Sequence, residues 1–193
     1  MIKPKIVCHG DSLTEGYGLP QIKRWSNLLE EDLGTEFINT GISGDSTAGM
    51  LARFHPMVIA HNPTHVIIMG GTNDLASRLS QELILSNIIT MARQARHFGI
   101  IPIIGIPTPI ILNNVYLPSE IFLPAQDMHR ELIQLRLNLM KLAEEKGIPI
   151  IDFTHKMHVG LFLEDGVHPN ELGQRLMKEY AKKILKEEIP YFR

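Results

Sequence analysis

Short apolar runs recur at Lys5–His9, Glu36–Asn39, His65–Met69, Ile100–Ile106 and Ile148–Phe153, with longer stretches of helical spacing between them. In Asp127–Lys146, Leu132, Leu135, Leu139 and Leu142 step by three and four, and Gly147 supplies the stop. Ser80–Phe98 repeats the pattern with Ile84, Ile88, Met91, Ala95 and Phe98, ahead of Gly99. Pro169–Glu187 puts Leu172, Leu176, Tyr180 and Ile184 on one face, opposite Lys182, Lys183 and Lys186. Pro169 suits the first position of that helix, where a missing N–H is harmless.

The strand runs are apolar throughout rather than alternating, as a parallel sheet covered on both faces requires. Five such strands predict a flavodoxin-like, three-layer α/β/α fold. Its five-stranded parallel sheet has the order 2-1-3-4-5, within a single domain over residues 1–193. Ligands of such sheets sit beyond the carboxyl ends of the strands. Ser12 follows the first strand, Gly44 the second and Asn73 the third. Asp165 and His168 follow the fifth, so all five residues reach one edge. Pro107–Pro124 follows the fourth strand and is long for a connection, which reads as a mobile loop or a lid over that edge.

Composition narrows the field. A net charge of −2 without a basic stripe argues against a nucleic-acid partner. The single cysteine, Cys8, has no internal disulfide partner and falls in a buried strand, where it reads as a small apolar filler. No apolar run approaches the roughly 20 residues of a membrane helix, so stable membrane insertion is not expected. Met1-Ile2-Lys3-Pro4-Lys5 leads straight into a strand with no secretory signal, which predicts a cytoplasmic protein. A homo-oligomer stays open.

The chemistry lies at the ends of the strands. Gly10-Asp11-Ser12-Leu13 places a hydroxyl at a strand-to-helix turn, and a serine needs an adjacent base to become nucleophilic. Asp165 and His168, three residues apart in a turn, supply a base and the carboxylate that orients it. Gly44 lies in the small-residue loop Asn39–Ser46 and offers an unhindered N–H. Asn73, in Gly70-Gly71-Thr72-Asn73-Asp74, offers an amide. With the Ser12 N–H these make three donors for an oxyanion.

The neighbouring residues have plainer readings. Asp11 orders the turn, Asp74 braces the Asn73 loop, Trp25 is core, and His9 is a hydrogen-bonded strand-end histidine. His155 and His158 lack a third ligand at suitable spacing, so no metal site is expected. Ile110, Ile111, Leu112, Ile121, Phe122 and Leu123 read as an acyl-binding lid, an oligomer contact or local core. Ile110, Ile111 and Phe122 are the candidates for touching substrate.

Four blocks then stand in order: Gly-Asp-Ser-Leu at 10–13, Gly-Ile-Ser-Gly-Asp-Ser at 41–46, Gly-Thr-Asn-Asp at 71–74 and Asp-Gly-Val-His-Pro at 165–169. Together they resemble the GDSL, or SGNH, hydrolase family over nearly the whole chain. Ser43-Gly44-Asp45-Ser46 and Leu51-Ala52-Arg53 are most similar to its thioesterase I and lysophospholipase L1 branch. The resemblance implies Ser12 as nucleophile, Asp165 and His168 completing the triad, and Gly44 and Asn73 as oxyanion donors. It also implies hydrolysis of small-molecule acyl esters or thioesters without metal or cofactor. A carbohydrate O-deacetylase or an acyltransferase would use the same constellation. A flavodoxin-like binding module holding an anion at the Ser12 turn is the non-enzymatic alternative.

Overall fold

The computed structural model describes residues 3–112 and 123–192. The chain runs β1 (Lys5–Gly10), α1 (Ser12–Glu15), α2 (Trp25–Leu33), β2 (Glu36–Asn39), α3 (Thr47–Ala52), α4 (Phe54–Met57) and β3 (His65–Met69). It continues through α5 (Thr72–Ala76), α6 (Gln81–His97), β4 (Ile101–Ile106), α7 (Ala125–Lys146), β5 (Ile150–Asp152) and α8 (Glu171–Glu188). The five strands are parallel in the order β2-β1-β3-β4-β5. This is the predicted order. Among the described residues no helix is long and apolar enough to cross a membrane.

Alternate strand residues feed two cores. Val7, Val66, Ile68 and Ile104 face Met50, Ile88, Met91, Leu135 and Leu139 from α3, α6 and α7. Ile6, Cys8, Ile67, Met69, Ile103 and Ile151 face Trp25, Leu29, Met177, Ala181 and Leu185 from α2 and α8. Each fully buried aliphatic side chain contributes about 1.5–3 kcal/mol. Both faces being dry explains why the strands read as continuous apolar runs.

Three helical details differ from expectation. Helix α8 starts at Glu171, not Pro169: the Asn170 side chain caps it by accepting from Leu172 N (2.9 Å) and Gly173 N (3.2 Å). Pro169 lies before the cap and bridges antiparallel to Phe162. The buried stripe of α8 is Gly173, Gln174, Met177, Ala181 and Leu185, one position round from the predicted face, and Leu172 is exposed. Small residues let α8 settle against α2 and β5, while the larger Leu176, Tyr180 and Ile184 flank the contact. Phe98, expected on the buried face of α6, instead caps its C-terminus and is exposed.

Candidate active site

Strand order reverses between β1 and β3, and ligands of open parallel sheets bind beyond the carboxyl ends of the strands at such a point. Asp11 ends the approach to it as the N-cap of α1, its Oδ1 accepting from Leu13 N at 2.9 Å. The Asp11 carbonyl accepts from Thr14 N and Glu15 N, so a single helical turn begins at Ser12. Trp25, fully buried, donates its Nε1–H to the Leu13 carbonyl at 3.1 Å and anchors the turn from below. Ser12 remains 7% exposed.

The Asp165–His168 turn reaches the same place. Asp165 Oδ1 accepts from Val167 N and His168 N, both at 2.9 Å, and its Oδ2 faces His168 Nδ1 at 2.7 Å. A carboxylate only accepts, so Nδ1 carries the proton and Nε2 presents its lone pair. That lone pair meets Ser12 Oγ at 2.8 Å. Burial alone would raise the Asp165 carboxyl, but the hydrogen bonds from His168 and Val167 outweigh it and hold it below the ordinary carboxylate range. The turn is closed by Leu163 N donating to the His168 carbonyl at 2.8 Å. From the segment after β4, Ile111 N donates to the Gly166 carbonyl at 2.7 Å.

A third group gathers around Gly44, whose φ of +79° suits a residue without a side chain. Glu15 Oε2 accepts from Ser43 N (2.9 Å) and Ser43 Oγ (2.5 Å), tying this loop to the helix that begins at Ser12. From the other side, Asn73 Nδ2 donates to the Asp45 carbonyl at 2.9 Å. Arg53 completes the frame by donating to Asp45 Oδ2 (2.7 Å), the Thr40 carbonyl (2.6 Å) and the Gly10 carbonyl (2.8 Å). One mostly buried guanidinium fork thus joins the ends of β1 and β2 to the Gly44 loop, a geometry a lysine could not reproduce. Asp74 accepts from Thr47 N and Thr47 Oγ1 (2.6 Å), pinning the start of α3. The sequence signalled Asp74 as a brace of the Asn73 loop, and the bonds it makes run from that loop to Thr47; the roles of Glu15 and Arg53 were not anticipated.

The remaining candidates sit elsewhere. His9 is fully buried, with Nε2 on the Met50 carbonyl and Nδ1 beside Thr40 Oγ1, both at 2.9 Å. Burial pushes its pKa down to about 4, and the Arg53 charge acts the same way, so it stays neutral. His158 Nδ1 accepts from Gly160 N, and His155 packs edge-on against Tyr180. Ile110 is 3% exposed and belongs to the core with α6 and α7, which removes it from the substrate-contacting set. Ile111 is half-buried beside the His168 turn. Phe122 lies outside the described residues.

Asp11 carries a latent electrostatic load. Its Oδ2 is buried without a hydrogen-bond partner, and burial raises the carboxyl to about 7, with Asp74 and Asp45 adding to the shift. The folded state therefore holds this proton more tightly than the unfolded chain. Its contribution to stability is complete below about pH 4 and is lost as pH rises through about 7. At about 1.4 kcal/mol per pKa unit, the loss is on the order of a few kcal/mol. The expected result is that the thermal midpoint of Asp11→Asn gains on wild type between pH 5 and pH 8. Parallel midpoint profiles would contradict this account of Asp11.

A serine, an oriented imidazole and a cluster of donors at the edge of a doubly covered parallel sheet define a class: ester-hydrolysing enzymes. The chain belongs to the GDSL-like Lipase/Acylhydrolase family, whose pattern it matches over residues 8–176. It is 28% identical over 190 residues to an arylesterase of Vibrio mimicus, covering 94% of this chain and 88% of that one. It is 27% identical over 184 residues to the thioesterase 1/protease 1/lysophospholipase L1 of Escherichia coli (strain K12), covering 91% and 80%. Among solved structures it resembles a GDSL-like lipase from Bacteroides thetaiotaomicron VPI-5482, with a TM-score of 0.80 and 25% identity. That match covers 96% of this chain and 89% of the other.

Proposed function

We propose that this protein hydrolyses carboxylic esters and thioesters through an acyl-enzyme on Ser12. The observation that carries the reading is the unbroken hydrogen-bond chain from Asp165 through His168 to Ser12 Oγ. His168 Nε2 takes the hydroxyl proton as Oγ attacks the acyl carbonyl. The negative charge that develops on the carbonyl oxygen is held by the N–H groups of Ser12 and Gly44 and by Asn73 Nδ2. An amide nitrogen has two N–H bonds; one of them holds the Asp45 carbonyl, and the second serves the oxyanion. Protonated His168 then supplies the leaving alkoxide or thiolate. Water repeats the sequence on the acyl-enzyme, with His168 again as base. The arylesterase and thioesterase relatives support both oxygen and sulfur leaving groups.

A fluorophosphonate probe tests the nucleophile directly: it should add covalently to Ser12, read as a mass shift on the peptide that contains it. Labelling elsewhere, or none, overturns the assignment. Asn73→Ala should lower kcat by roughly 10²–10³-fold while leaving KM nearly unchanged, because the lost donor acts on the transition state. A change confined to KM would place Asn73 in ground-state binding.

A further inference from the structure

Tyr17 has no step in the reaction above, yet its ring lies on the imidazole of His168. The centroids are 4.4 Å apart and the planes are inclined by 39°. Local structure delivers it there. Gly16 N and Tyr17 N both donate to the Ser12 carbonyl, at 2.9 and 3.1 Å, closing the turn that carries the nucleophile. Gly16 takes a left-handed conformation (φ 82°, ψ 48°) as the C-cap and reverses the chain at once. The nucleophile and the ring that covers its base therefore belong to one short loop. Tyr17 is 48% exposed, so burial of its own surface is a weak reason for this placement.

The two hydrogen bonds of His168 lie in the plane of its ring, one at each nitrogen. They fix where the nitrogens point and resist rocking about the line between them only weakly. A ring packed on the face resists that motion directly. During each half-reaction the imidazole also becomes a cation, and an aromatic face attracts a cation placed over it.

We propose that Tyr17 is a positioning residue for His168: its ring sets the plane of the imidazole and stabilises the imidazolium while the proton is in transit. The proton itself passes from Ser12 Oγ to His168 Nε2 and on to the leaving oxygen or sulfur; Tyr17 gives up and receives none. The proposal rests on the triad reading above.

The test compares wild type, Tyr17→Phe and Tyr17→Leu by kcat and KM on p-nitrophenyl acetate, by the rate of fluorophosphonate labelling, and by thermal midpoint. Tyr17→Phe, which retains the ring, should stay within about twofold of wild type. Tyr17→Leu, with bulk but no π face, should lose about 3–30-fold in both kcat and labelling rate, with KM and thermal midpoint little changed. Full activity in Tyr17→Leu overturns the proposal. So does an equal loss in Tyr17→Phe, which would assign the effect to the phenol oxygen. A loss confined to KM also overturns it, because the ring would then be a platform for substrate. Ser12→Ala in the same labelling assay separates the two levels. Labelling that survives Ser12→Ala removes the triad reading itself. Labelling that needs Ser12 but ignores the ring at position 17 removes this proposal alone.

Discussion

Ser12→Ala should lower kcat for short p-nitrophenyl esters by about 10⁴–10⁶-fold, the range expected when a serine nucleophile is deleted from an acyl-transfer triad. The substitution removes one oxygen from a side chain whose Oγ bonds His168 Nε2 at 2.8 Å. The turn around it is held by other groups: the Asp11 cap, the buried Trp25 and the backbone bonds that close α1. The thermal midpoint should therefore stay near that of wild type while turnover disappears. Rates measured on purified protein decide the matter. A residual rate within tenfold of wild type would show that the hydrolysis runs through another nucleophile.

Asp165→Asn should lower kcat by roughly 10³–10⁴-fold with little loss of folding stability. The amide oxygen can still accept from Val167 N and His168 N, so the turn keeps its shape. The amide nitrogen, however, would now face His168 Nδ1, where a carboxylate oxygen sits at 2.7 Å in the native site. Two donors cannot share that bond. The neutral imidazole responds by moving its proton to Nε2, which then meets Ser12 Oγ as a donor and can no longer accept its proton. The charge that offsets the imidazolium is lost as well. Steady-state kinetics alongside thermal unfolding check both halves. Retention of kcat within tenfold would show that Asp165 shapes the turn without governing the base.

How far these features were legible depends on the kind of interaction that makes them. Strands buried on both faces show as unbroken apolar runs, so the sheet could be read directly, and its order followed from the flavodoxin-like arrangement that five such strands fit. The meeting of Ser12, Asp165 and His168 was legible because strand ends in a parallel sheet converge on one edge. The face of α8 was misplaced because Leu172 and Leu176 look more like core than Gly173 and Ala181. Contact with the sheet selected small residues there. The cap at Asn170, which starts the helix two positions inside the predicted start, reflects local side-chain bonding that periodicity does not register. Helices α3–α5 are too short to show a period, and α3 is defined by the Ser46 cap and the Asp74 bond to Thr47. Arg53 acts on main-chain carbonyls at Gly10 and Thr40, and acceptors of that kind leave no mark in a sequence. The stacking of Tyr17 on His168 is likewise a tertiary contact that sequence spacing does not show.

The hydrogen bond between Ser12 and His168 joins residues 156 positions apart. A loop of that length closes late, because the entropy of bringing its ends together is recovered only when the intervening sheet is in place. Ser12 is made before every strand but β1, and His168 only after all five, with α8 still to follow. Until then Ser12 Oγ lacks its partner at His168 Nε2. On the reading proposed above, competence to attack an ester therefore comes only with the closed sheet.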